Sequence, residues 1–125
     1  MIHHVSVGTN DLCASRAFYD PVMAHLGFRL LDATGGAADY GIGDALFSVE
    51  TPDDGARATA GNGVHIAFVA RDRAMVDQFY QLALANGGLC AGSPGLRPAY
   101  DANYYGAFVR DPDGNKIEAV TFAAN

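Results

Sequence analysis

Apolar and polar positions alternate at the start of the chain. From Ile2 to Gly8, Val5 and Val7 fall on one face of an extended run and Ile2, His4 and Ser6 on the other, as in a strand packed on one side. The run Val64 to Ala70 repeats this, with Ile66 and Phe68 on the packed face and His65 and Ala67 opposite. Behind each strand the apolar spacing lengthens to that of a helix. Met75, Val76, Phe79, Leu82 and Ala83 line one face of a helix spanning Arg73 to Ala85, and Asn86-Gly87-Gly88 stops it. An earlier helix runs from Leu12 to about Leu26. Asp20-Pro21 inside it predicts a break or a new helical start, because proline lacks a backbone donor and favours the first helical position. Asp11 and Asp72 each stand where they can cap the helix that follows.

Further strands are expected at Phe28 to Asp32, Ala38 to Ile42 and Ala45 to Glu50, then at Leu89 to Ala91, Tyr104 to Arg110 and Lys116 to Phe122. Asp111-Pro112-Asp113-Gly114-Asn115 suits the tight turn of a hairpin between the last two. Thr51 to Asn62 reads as a linker, and Gly92 to Asn103 as a loop at the mouth of a pocket. Several of these features recur at an offset of 61 residues: His4 with His65, Asp11 with Asp72, and Phe18-Tyr19 with Phe79-Tyr80. The chain therefore reads as one α+β domain over residues 1–125, built from two β-α-β-β-β modules at about 1–55 and 62–125.

Charge narrows the partners. Fourteen acidic against eight basic side chains give a net charge of −6, and no lysine and arginine cluster exists to neutralise phosphates, which excludes nucleic acid and membrane surfaces. No run approaches the ~20 apolar residues of a membrane span, and the first residues form a strand rather than a leader, so a cytoplasmic location is expected. Cys13 and Cys90 lie far apart and read as free thiols that serve packing.

The chemistry concentrates in three residues. His4 and His65 occupy matching positions of the duplicated unit and would meet near its pseudo-two-fold axis. Glu118 stands in Ile117-Glu118-Ala119-Val120, a run expected to be buried, where a carboxylate needs a cation, a metal or a proton. Two histidines and a carboxylate match both the facial triad of non-haem Fe(II) and several zinc catalytic sites. The plainer alternative makes the histidines ordinary hydrogen-bonded residues and pairs Glu118 with Arg97 or Arg110. Glu50 shares a strand face with Ser48 and offers a fourth ligand, or equally a solvated rim carboxylate. His3 and His25 read as structural. Arg97, Tyr100, Tyr104 and Tyr105 form a cationic and phenolic segment suited to binding a substrate.

The segments His4-Val5-Ser6-Val7, Asp11-Leu12 to Ala17-Phe18-Tyr19, and Leu26-Gly27-Phe28 are similar to the opening module of vicinal oxygen chelate proteins, the glyoxalase/bleomycin-resistance/extradiol dioxygenase superfamily. Val64-His65-Ile66-Ala67-Phe68 and Asp111-Pro112-Asp113-Gly114-Asn115-Lys116-Ile117-Glu118 resemble its second module. The resemblance implies a cupped, barrel-like sheet of eight strands with the helices outside. It also implies a divalent metal (Fe, Zn, Ni, Mn or Co) held by His4, His65 and Glu118. Modules of this kind pair within one chain or across two, so a homodimer is expected. The implied activity is a lyase, isomerase or dioxygenase acting on a small substrate with vicinal oxygens, Glu118 taking part in catalysis. The alternative is a metal-free protein that binds or sequesters a small molecule. Glyoxalase I-like members use four protein ligands, and extradiol dioxygenases carry a further catalytic histidine.

Overall fold

The computed structural model describes residues 1–125. Its elements run β1 (Val5–Gly8), α1 (Leu12–His25), β2 (Arg29–Asp32), β3 (Ala37–Gly41), β4 (Ala45–Glu50), β5 (Ile66–Val69), α2 (Arg73–Ala85), β6 (Leu89–Leu96), β7 (Tyr105–Arg110) and β8 (Lys116–Thr121). They form two four-stranded sheets of the same order, β1-β4-β3-β2 and β5-β8-β7-β6. In each module the first strand pairs in parallel with the last, Val5 opposite Phe47 and Ile66 opposite Ile117, and the remaining pairs are antiparallel. The sheets are cupped and do not close on each other through backbone ladders.

The duplication is visible in the local chemistry. Asp11 accepts from the Ala14 N–H at 3.0 Å and Asp72 from the Met75 N–H at 2.9 Å, each holding one of the free donors that open its helix. Phe18, Val22 and Met23 of α1 and Val76, Phe79 and Ala83 of α2 are buried in one core with Phe47, Val49, Ile117 and Ala119 from the sheets. The Phe47 and Phe68 rings meet edge to face at 5.3 Å and join the two modules.

Helix α1 runs unbroken through Pro21, against the expected break. Tyr19, Val22 and Met23 around the proline are buried, so packing outweighs the lost backbone bond. Asp20 does not cap a new helix either: it accepts from the Tyr40 hydroxyl at 2.7 Å and from Arg16 at 3.0 Å. The expected mouth loop is also corrected, since β6 continues to Leu96 with register shifts between Cys90 and Gly92 and between Gly92 and Gly95. A bulged, glycine-rich strand lacks the alternation by which strands are read. Both cysteines are unpaired, and both are exposed rather than packed.

A polar junction ties the modules at one end. Tyr19 donates to Asp111 Oδ2 at 2.6 Å, Asn115 Nδ2 donates to the Gly8 carbonyl at 3.0 Å, and the Asn10 N–H donates to Asp113 at 2.8 Å. Burial pushes the Asp111 carboxyl above the ordinary aspartate range, and its bonds to Tyr19 and Asn115 oppose that shift. No helix is long and apolar enough to cross a membrane.

Candidate functional site

Strand alternation decides what each sheet presents. In β8, Ile117 and Ala119 enter the core and Glu118 points to the opposite face, yet its exposure is 0%. Its Oε1 lies 3.1 Å from His65 Nε2, and its Oε2 accepts a short hydrogen bond from the Tyr104 hydroxyl. Neither Arg97 nor Arg110 neutralises it. Arg97 donates to the Ser93 carbonyl at 2.9 Å and Arg110 to the Gly114 carbonyl at 2.8 Å. Desolvation, and after it the bond to Glu118, raises the Tyr104 phenol far above its ordinary value, so Tyr104 keeps its proton and donates it to the carboxylate. Gly106 makes the room: a Cβ there would stand 2.8 Å from Glu118 Oε2 and 3.2 Å from Tyr104 Cε1.

Beside this pair opens a cleft of about 570 Å³, lined by His65, Arg97, Tyr100, Tyr104, Phe108 and Lys116 among others. The Tyr100 and Tyr104 rings meet edge to face at 5.0 Å. Arg97 stands 5.7 Å and Lys116 5.0 Å from the centre of the Phe108 ring. Lys116 was not singled out from the sequence, although its position two residues before Glu118 puts it on the same strand face. Tyr105 corrects the expectation in the other direction. It packs on the helix side, donating to Asp77 at 2.6 Å with Arg73 over its ring, because consecutive strand residues face opposite ways.

Module one presents a different group. β1 begins at Val5, so alternation does not reach His3 and His4, and their rings touch, Nδ1 to Nδ1, at 2.9 Å. His3 Nε2 lies 3.5 Å from Asp44. His3 therefore stands beside His4 in one open cleft of about 450 Å³, together with Asp39, Asp44, Ser48 and Glu50. There Ser48 donates to Asp39 at 2.7 Å. His25 keeps its structural reading, with Nε2 3.0 Å from the Met75 carbonyl of α2. His4 and His65 both line a groove of about 480 Å³ running between the modules past Phe28 and Leu46. Thus His65 contacts Glu118, while His4 lines both this groove and the cleft that holds Glu50. No three histidine, cysteine, aspartate or glutamate side chains of the chain converge closely enough to hold a metal ion.

The family model of the glyoxalase/bleomycin resistance protein/dioxygenase superfamily matches residues 1–119. The chain belongs to this superfamily. A glyoxalase/bleomycin resistance protein from Albidiferax ferrireducens T118 is 39% identical, with 94% of this chain and 95% of that chain covered and a TM-score of 0.86. A putative glyoxalase from Bacillus halodurans is 26% identical, covering 96% and 94%, with a TM-score of 0.73. A lactoylglutathione lyase from Agrobacterium tumefaciens is 25% identical, covering 96% and 92%, with a TM-score of 0.66. No curated protein matches the chain. Superfamily membership accounts for the paired modules. The reaction has to be argued from the side chains, since one scaffold hosts unrelated chemistries.

Proposed function

We propose that this chain is a metal-dependent enzyme of the glyoxalase/dioxygenase type, acting on a small substrate with two neighbouring oxygens. The observation that carries the reading is Glu118, a fully buried carboxylate on the open face of its sheet with His65 Nε2 at 3.1 Å and no lysine or arginine partner. Burying a carboxylate without a cation is costly, and imidazole with carboxylate is a donor set suited to Fe, Mn, Ni, Co or Zn. His4, His65 and Glu118 would hold the ion, with Glu50 as fourth ligand. That no three such side chains converge within one chain fits a site completed by a second copy, each copy giving one half. The exposed Ile2 at the groove, together with the exposed Val64 and Val69 of module two, supplies apolar surface for such a homodimer. When bound, the metal supplies Lewis acidity toward the substrate oxygens.

The chain's own groups divide the remaining work. Glu118 Oε2 is held by the Tyr104 phenol, which retains its proton and donates it to that oxygen at the edge of the cleft. A carboxylate so placed takes and returns a proton in a lyase or isomerase reaction. Tyr100, Tyr104 and Phe108 shield the substrate from water.

The test is elemental analysis of protein purified without chelator, beside Glu118→Ala, followed by turnover assays with protein loaded separately with Fe(II), Ni(II), Zn(II) and Mn(II). Hemithioacetals, catechols and 2-oxo or hydroxy acids are the substrates. Turnover without O₂ identifies a lyase or isomerase, and Fe(II)-dependent O₂ consumption identifies a dioxygenase. Negligible metal in both proteins after reconstitution, with ligand binding intact in His4→Ala and His65→Ala, makes the chain a binding protein instead.

A further inference from the structure

We infer that the cleft beside Glu118 is built for the acid group of its substrate, held between Arg97 and Lys116, and that the substrate is a small, flat organic anion. The chain has only eight basic side chains against fourteen acidic ones, yet two of them converge on one ring in this cleft. Neither pairs with a carboxylate: the arginine–carboxylate pairs of the chain join Arg16 to Asp20 and Arg71 to Asp72.

Arg97 is held in place. Nη2 donates to the Ser93 carbonyl at 2.9 Å and Nη1 to the Leu96 carbonyl at 3.4 Å, which consumes only part of the five donors of a guanidinium. Two glycines leave space for it, since a Cβ at Gly92 would stand 3.3 Å from Nη2 and one at Gly95 3.1 Å from Nη1. A cation kept just past the end of a bulged strand without an anionic partner is poised for an anion that arrives from solution. The walls fix the shape of what comes with it. Tyr100, Tyr104 and Phe108 offer ring faces and edges to a planar body. Lys116 and Glu118 lie on one face of β8 two residues apart, a rise of about 7 Å, which sets the span between the acid group and the reacting oxygens.

This assignment rests on the proposed function for the position of the reacting atoms, but the anion pocket itself is measurable without metal or turnover. Calorimetric titration of the metal-free protein with benzoate, phenylphosphonate and the neutral benzamide tests it. Benzoate or phenylphosphonate is expected to bind saturably, more weakly as NaCl rises, and the tighter of the two tells a carboxylate from a phosphorus acid. Arg97→Gln or Lys116→Gln should each weaken that binding about tenfold, and the double variant further, while Arg97→Lys keeps most of it. Benzamide should bind poorly to all of them. Equal affinity for benzamide and benzoate, no saturable binding of either anion, or an unchanged double variant would overturn the inference. Failure of metal loading with anion binding intact would overturn the enzyme reading alone.

Discussion

The two modules keep the same strand order, the same aspartate caps and matching core phenylalanines, and they part company on their open faces. Module two wires its carboxylate: Glu118 is sealed between His65 and Tyr104 over a glycine that makes room for it. Module one leaves His4 and Glu50 in an open cleft beside His3 and Asp44, with no comparable enclosure. Core positions of a duplicated unit answer to each other across the shared interior, so they stay alike. The open faces answer to a ligand or a second chain, and there the copies are free to divide the roles.

The largest effect that would break this division is at the ligands. Glu118→Gln, which keeps an oxygen for Tyr104, should weaken metal retention by on the order of 100-fold in a chelator competition assay, and His4→Ala by a similar factor. Glu50→Ala should cost less. Equal, small losses at all three positions would show that neither half-site outweighs the other. Gly106→Ala is expected to destabilise the fold by about 1–3 kcal/mol in urea unfolding, because the new methyl group displaces Glu118 or Tyr104. Gly43→Ala, with nothing within 4 Å, is the silent control in module one.

Next in size is the junction between modules. Tyr19→Phe should cost about 1–2 kcal/mol by stripping a donor from the buried Asp111 carboxylate. Asp111 also predicts a pH signature. Its folded pKa is raised above the ordinary 3.8, so its stability contribution is fullest below that value and is lost as pH rises through the higher folded one. Comparing melting temperatures of the wild type and Asp111→Asn across this window should show the wild type losing ground as pH increases. The smallest effect belongs to the cap of α2. Hydrogen bonding from the Met75 N–H holds Asp72 below 3.8, so its contribution is present above that value and lost as pH falls through the lower folded pKa. Asp72→Ala should lower the melting temperature by no more than a few degrees at neutral pH, and the difference should vanish in acid.

Much of this was legible in the residues. The offset between His4 and His65 exposed the duplication, and alternation around Ile117 and Ala119 put Glu118 on the open face. What escaped was set by contacts remote in sequence. Pro21 stays helical because Tyr40 and Arg16 occupy the Asp20 side chain that would otherwise start a new helix. Lys116 and Arg97 are nineteen residues apart and meet only over Phe108. Tyr104 and Tyr105 look interchangeable until the strand boundary assigns one to Glu118 and the other to Asp77.

The irregularity of β6 has a further consequence, for self-association. It is the longest strand, eight residues at the rim of its sheet, and a straight strand there would offer a stranger chain a row of free N–H and C=O groups. Pro94 removes one donor, and the register shifts around Gly92 break the row into pieces that no second regular strand can follow. Strand-by-strand growth from that rim is disfavoured.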